Sequence, residues 1–154
     1  MADDHGPLTE QLAHLRRLLE QVTGQDRTPS DVQDAFAGAA NTLHDELLEH
    51  FGFEEECVFP FLSDTLSQLA DEIRLLEASH DTICGALVRL QHLAQRDEGQ
   101  AFVALFSQVL RVFERFDKVY SDHVAQEATL LNKAALQLSS EQRKALNDAA
   151  EGLL

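Results

Sequence analysis

Apolar residues recur every three or four positions along most of this chain, the spacing of helices that bury one face. No stretch shows the strict alternation of apolar and polar residues that is typical of a strand. Breaks at Gly24, Thr28-Pro29, Pro60 and residues 96–99 divide the pattern. The predicted helices cover about residues 8–23, 29–58, 69–94, 102–136 and 139–153. Four long helices joined by short loops predict an all-α, up-down-up-down four-helix bundle, with the short fifth helix added at the C-terminus.

Capping signals support two of these boundaries. Asp97 can cap the fourth long helix, because its carboxylate can accept a hydrogen bond from the first turn. Ser139 and Gln142 have the spacing of a capping box, in which each side chain bonds to the other residue's backbone N–H. The short helix that follows carries Leu146 and Leu153 on one face, so we expect it to cover an end of the bundle.

Length and composition are those of an ordinary globular chain. With 154 residues it can bury a hydrophobic core without disulfides or structural metals to stabilise it, and we expect a single domain over residues 1–154. The formal net charge of −15 argues against nucleic acid or a membrane surface as a partner, because both bind clustered lysine and arginine. No apolar run is long enough to span a membrane and no signal-peptide pattern is present, so we expect a cytoplasmic protein. Cys57 and Cys84 fit a reducing compartment, and their positions predict no disulfide between them.

Three of the long helices interrupt their apolar stripe with a histidine: His50, His80 and His123. Glu54 and Glu127 follow two of these histidines at a spacing of four, which places each pair on one helical face. That face is the buried one, and a buried carboxylate is costly unless it is paired or binds a metal ion. The stripes therefore predict that the histidines and glutamates bind something inside the bundle.

A fourth histidine, His14, lies at the edge of the stripe of the first helix. With it, the chain offers four imidazoles and two carboxylates, a donor set that suits iron, manganese or zinc. Two carboxylates facing each other from the second and fourth long helices can bridge two ions. The six donors therefore indicate a dinuclear metal site.

These residues resemble a bacterial hemerythrin-like domain of the HHE cation-binding type. The motifs that carry the resemblance are His14, His50-Phe51-x-x-Glu54-Glu55 followed by Phe59-Pro60, His80-Asp81, and His123-x-x-x-Glu127. The likeness extends over about residues 8–138. It implies a four-helix bundle with a non-haem di-iron centre carrying an oxo or hydroxo bridge, and manganese or zinc are the alternative metals. Glu54 and Glu127 would bridge the ions, and the four histidines would be terminal ligands.

The pattern departs from that of the oxygen-carrying hemerythrins, which have a His-x-x-x-His pair on the third helix. Here Leu76 or Cys84 stands where the partner of His80 would be. The chain is closer in this respect to four-histidine hemerythrin-like enzymes, sensors and iron–sulfur repair proteins. Tyr120 as an extra ligand or hydrogen-bond donor, Glu77, or solvent could complete the site.

The function implied is that of a di-iron protein that binds or reacts with oxygen, hydrogen peroxide or nitric oxide, with peroxide consumption favoured over reversible oxygen carriage. Whether it is an enzyme of the catalase-like or nitric-oxide-related oxidoreductase kind stays open at this point. The alternative is a non-catalytic sensor of oxygen, iron or nitric oxide, or an iron-binding module. A metal-free interaction bundle is a third class. The sequence has no nucleotide-binding glycine motif.

Overall fold

The computed structural model of the chain describes residues 6–95 and 100–152. Within those ranges it is helical almost throughout and contains no strand. The α-helices are α1 (Gly6–Thr23), α2 (Pro29–Phe53), α3 (Phe59–Thr65), α4 (Ala70–Ala94), α5 (Gln100–Ala104), α6 (Phe106–Gln137) and α7 (Ser140–Gly152). The predicted all-α class, a helical bundle with a short additional C-terminal helix, is confirmed. In the described ranges, no helix combines the length and the apolar composition needed to cross a membrane.

The second predicted helix ends differently from the expectation. It was expected to stop before Pro60, but α2 passes into a π-helical turn over Glu54–Val58, and Pro60 lies in the first turn of α3. Proline is tolerated in a first turn because the backbone N–H it lacks would have no intrahelical partner there. The prediction that Pro60 ends the helical path is therefore wrong, and the chain stays helical to Thr65.

The fourth long helix is also interrupted. A break at Leu105 separates α5 from α6, and the carbonyl of Leu105 accepts a hydrogen bond from the Val109 N–H at 2.9 Å, so α6 begins directly after the break. Residues 96–99 with Asp97, and Leu153, lie outside the described residues, so the cap and the contact expected of them stay predictions.

The chain divides into two compact units. Among the described residues, unit 1 comprises Leu48–Thr82 and residues 119–152. Unit 2 comprises residues 6–47 and the described residues within Ile83–Lys118.

Unit 2 is held by apolar packing and by polar contacts between its helices. The Phe36 and Phe102 rings lie 5.5 Å apart between centroids, and both side chains are fully buried. The Gln33 side-chain amide donates to the carbonyl of Ala94 at 3.2 Å. A buried amide needs such a partner, since leaving it unpaired would cost about 1–3 kcal/mol.

Unit 1 has an apolar core formed by the π-helical turn, α3, a 3₁₀ turn over Ser67–Leu69, α4, α6 and α7. Its buried members are Val58, Phe59, Leu62, Leu66, Leu69, Ile73, Leu76, Leu130, Ala134, Leu138 and Leu146. The predicted capping box of α7 is confirmed, because Ser139 N–H donates to Gln142 Oε1 at 2.9 Å and Gln142 N–H donates to Ser139 Oγ at 3.1 Å. α7 thus begins where the sequence predicted and adds Leu146 to this core.

Candidate metal centre

The first carboxylate of the site lies at the start of the π-helical turn. Glu54 is the first residue of this turn, directly after α2, and it is only 2% exposed. A π turn closes i→i+5 hydrogen bonds instead of i→i+4, and here the Phe59 N–H bonds to the carbonyl of Glu54. Glu54 thus directly follows the helix that holds His50, four residues before it.

The remaining predicted residues of unit 1 come from α4 and α6. His80 lies on α4, and His123 and Glu127 lie one helical turn apart on α6. All three side chains are buried, with 3%, 1% and 4% exposure respectively. His50 is half-buried. The apolar stripes therefore bury the polar residues at the positions that the sequence indicated.

These five residues form two clusters that share one carboxylate. Glu54, His80 and His123 make the first cluster, and His50, Glu54 and Glu127 make the second. Within each cluster the possible donor atoms lie within 4.8 Å of one another. A carboxylate common to two triads can bridge two metal ions, as the sequence predicted for Glu54.

The distances inside the clusters match donors arranged around an ion. Glu54 Oε1 lies 3.3 Å from His80 Nε2 and 3.5 Å from His50 Nε2. Between the two clusters, His123 Nε2 of the first lies 3.4 Å from Glu127 Oε2 of the second. Two donors that each sit about 2.1 Å from one ion are separated by roughly 3.0–3.4 Å. The spacing therefore fits metal coordination.

The two imidazoles of the first cluster each have a buried nitrogen atom with no hydrogen bond to the described residues. Among the described residues, neither His80 Nε2 nor His123 Nε2 has a hydrogen-bond partner. A buried polar atom left unsatisfied costs about 1–3 kcal/mol, which is why such atoms are rare in folded proteins. A cation that accepts the lone pairs of both nitrogens would remove this cost, so the residues present fit a metal ion.

The electrostatics of the protein alone also favour a cation. Burial, interaction with the Glu127 carboxyl group and a smaller effect of Glu55 together raise the pKa of Glu54 to about 11, with burial the largest cause. Burial lowers the pKa of His80, and His123 lowers it too, while Glu55 opposes both. Without metal, the protein thus favours a protonated Glu54 and a neutral His80. A metal ion would supply the positive charge that allows Glu54 to ionise.

The Nδ1 atoms of His80 and His123 each lie close to a hydrogen-bond partner. His80 Nδ1 lies 3.0 Å from Oε1 of Glu55, a half-exposed carboxylate. His123 Nδ1 lies 2.5 Å from the hydroxyl oxygen of Ser79. A carboxylate only accepts hydrogen bonds, so His80 carries its proton on Nδ1 and turns an unprotonated Nε2 toward Glu54. This protonation pattern is the one that metal-binding histidines need.

Aromatic rings enclose the same two imidazoles. The Phe51 ring stacks on His80 with 3.7 Å between centroids and an angle of 8° between the planes. The same ring packs edge-to-face with His123, with 5.6 Å between the ring centroids. Phe59 stacks on His80 at 5.8 Å. These apolar rings restrict the imidazole rotamers and keep water from the first cluster.

Three sequence-predicted site residues fall outside the two clusters. His14 is half-buried on α1 in unit 2, so its role as a ligand stays a prediction. Glu77 is half-buried on α4, and its role stays a prediction as well. Tyr120 is 5% exposed on α6, and its role also stays a prediction.

The cysteines agree with the expectation that they form no disulfide. Both are reduced, Cys57 being buried and Cys84 half-buried. Burial raises the pKa of the Cys57 thiol, which disfavours the reactive thiolate.

Sequence reasoning assigned no role to Glu55 or Ser79. Glu55 belongs to the motif around His50, and a second carboxylate beside a ligand position was a usable signal. Ser79 gave no such signal, because a serine inside a helix is common and its partner His123 lies 44 positions away.

Comparison with known proteins gives one family. A family model described as the hemerythrin HHE cation binding domain matches residues 1–135. No curated protein and no solved structure matches the chain significantly. The matched range includes all six predicted ligands and agrees with the resemblance drawn from the motifs.

Proposed function

Because the chain belongs to the hemerythrin HHE cation-binding family, we propose that it binds two metal ions, preferably iron, and reacts with a small ligand. The ligand class is hydrogen peroxide, oxygen or nitric oxide, with peroxide consumption as the leading reaction. The observation that carries this proposal is the sharing of Glu54 by two clusters of possible metal donors.

Each cluster would hold one ion. Glu54, His80 and His123 would hold the first, and His50, Glu54 and Glu127 the second. The family resemblance adds His14 as a further terminal imidazole. A mixed set of imidazole nitrogens and carboxylate oxygens suits iron and manganese, and zinc also binds such donors.

The protein residues would supply negative charge to the metal ions and an apolar surrounding for the first cluster. Glu54 and Glu127 would neutralise the bound cations, and their negative charge favours ions of higher oxidation state. Phe51 and Phe59 keep the first cluster apolar on the side of His80. Bound iron would supply electron transfer and exchangeable coordination positions for peroxide, oxygen or nitric oxide.

The absence of a second imidazole beside His80 favours turnover over reversible storage of oxygen. Leu76, one turn before His80, is buried in the apolar core of unit 1. A cluster with fewer protein ligands leaves more positions to solvent, and solvent ligands exchange readily. The site would therefore exchange ligands instead of holding one oxygen molecule.

The test is hydrogen peroxide consumption by iron-loaded protein. We expect many peroxide molecules to be consumed per chain, and we expect Glu54→Gln to lose this activity together with its iron. The exposed neighbour Glu56 provides a matched control, Glu56→Gln, which should retain both. Reaction with a single equivalent of peroxide, oxygen or nitric oxide would instead support a non-catalytic sensor. An unchanged melting temperature after chelation would support a metal-free interaction bundle.

A further inference from the structure

Ser79 joins two helices of the candidate site without being a ligand candidate itself. It is half-buried on α4, directly before His80. Its hydroxyl oxygen lies 2.5 Å from His123 Nδ1 on α6 and 2.6 Å from the carbonyl oxygen of Leu76. The hydroxyl group thus has two partners and only one proton to donate.

The chemistry of the two partners decides the direction of both hydrogen bonds. A carbonyl oxygen only accepts, so the Ser79 proton goes to Leu76. The Ser79 oxygen then accepts from His123, which requires a proton on Nδ1 and leaves Nε2 with its lone pair. We propose that Ser79 is a positioning residue that holds His123 in the tautomer whose unprotonated Nε2 faces Glu54 and Glu127. This inference rests on the proposed metal-binding function.

The surroundings of Nε2 support the same tautomer. His123 is 1% exposed, and its Nε2 makes no hydrogen bond with the described residues. Glu127 Oε2 lies 3.4 Å from it, which is longer than an ordinary N–H···O bond. A proton on Nε2 would therefore be poorly satisfied and would stand where a metal ion needs the lone pair.

The neighbouring histidine has the same arrangement with a different acceptor. His80 donates its Nδ1 proton to the Glu55 carboxylate, as His123 donates to the Ser79 hydroxyl. Two adjacent residues of α4 thus contribute to the first cluster in different ways, one as a possible ligand and one as a hydrogen-bond acceptor. Both imidazoles of the cluster would be prepared for metal before it arrives.

The variants Ser79→Ala and Ser79→Thr separate the hydroxyl group from the rest of the side chain. Alanine is the best helix former, so Ser79→Ala should fold. Threonine keeps a hydroxyl that can bond to a carbonyl in the preceding turn. Thr129→Ala is the matched control, because the Thr129 hydroxyl also bonds to a carbonyl of its own helix, that of Ala125, on the exposed surface of α6.

The first measurement uses metal-free protein. Long-range ¹H–¹⁵N NMR at pH 8 distinguishes the two tautomers of each neutral histidine, and His123→Gln identifies the signals of His123. We expect the Nδ1-protonated form in the wild type, in Ser79→Thr and in Thr129→Ala. In Ser79→Ala we expect a shift toward the Nε2-protonated form.

The second measurement is a competition titration with zinc. Losing a hydrogen-bond partner of a metal-binding histidine costs about 10–100-fold in affinity, and we expect that loss in Ser79→Ala only. Nε2-protonated His123 in the wild type would overturn the inference, as would equal loss in the alanine and threonine variants, or an unchanged tautomer and affinity in Ser79→Ala. Failure of the wild type to bind zinc or iron would overturn the proposed function, while the tautomer in metal-free protein would still decide the role of Ser79.

Discussion

Replacement of Glu54 by glutamine should have opposite effects on stability with and without metal. In the metal-free protein, the raised pKa of Glu54 means that the folded state keeps a proton which the unfolded chain releases. The free energy of unfolding therefore falls as the pH rises above about 4.5, the ordinary value for this group. Glutamine has nearly the same shape and carries no charge, so it avoids this loss.

The size of the effect follows from the two pKa values. The folded-state pKa of about 11 lies above pH 7. At pH 7 the free energy of unfolding has therefore fallen over the whole interval from pH 4.5, the pKa of Glu54 in the unfolded chain. At about 1.4 kcal/mol per pH unit, an interval of about 2.5 units corresponds to about 3–4 kcal/mol. Metal-free Glu54→Gln should therefore be about 3–4 kcal/mol more stable than the wild type at pH 7 and about equal at pH 4.5.

The assay is urea denaturation of chelator-treated protein at pH 4.5 and pH 7. Glu56→Gln is the control, because it removes an exposed charge from the same π-helical turn and should change the free energy of unfolding little at either pH. With metal bound, the order should reverse, since a bridging charge is lost, and Glu54→Gln should melt below the wild type. Equal stability of metal-free Glu54→Gln and wild type at pH 7, or an advantage that does not grow between pH 4.5 and pH 7, would refute the reasoning.

Three further outcomes follow from the structure. Glu55→Gln should lower the pKa of His80 further in metal-free protein, because Glu55 raises it through a hydrogen bond and its charge, and an NMR titration showing a rise would contradict this. If Tyr120 binds ferric iron, the iron-loaded protein should show a visible phenolate charge-transfer band that Tyr120→Phe abolishes, and a band that survives the substitution excludes this ligand. Gly38→Ala should stabilise α2 by about 0.5–1 kcal/mol, because among the described residues no atom beyond the neighbouring backbone of α2 and the two adjacent residues lies within 4 Å of the added Cβ, and thermal denaturation showing a loss would contradict that estimate.

Helix positions could be predicted where the apolar spacing was regular. The end of the first helix at Thr23 and the end of the third long helix at Ala94 agree with the pattern. The π-helical turn over Glu54–Val58 could not be predicted, because a change from i→i+4 to i→i+5 bonding leaves no mark in the apolar spacing. The break at Leu105 was missed because apolar residues continue across it.

The site was predictable where both partners lie on one helix. His50 with Glu54, and His123 with Glu127, are each four residues apart, and the structure brings each pair within 3.5 Å. Contacts between helices carry no such signal. Ser79 and its partner His123 illustrate this, because they lie on different helices, α4 and α6, and apolar spacing along one helix does not reveal the register against another.

The most direct test of the proposed centre is metal stoichiometry. Metal-free protein would be titrated with iron(II) under nitrogen, desalted and analysed for iron per chain, in the wild type and in the Glu54→Gln and Glu127→Gln variants. Because Glu54 belongs to both clusters, the account predicts two iron ions per wild-type chain and well below two in the Glu54 variant, with a loss in the Glu127 variant as well. Two iron ions retained in both variants, or none bound by the wild type, would contradict it.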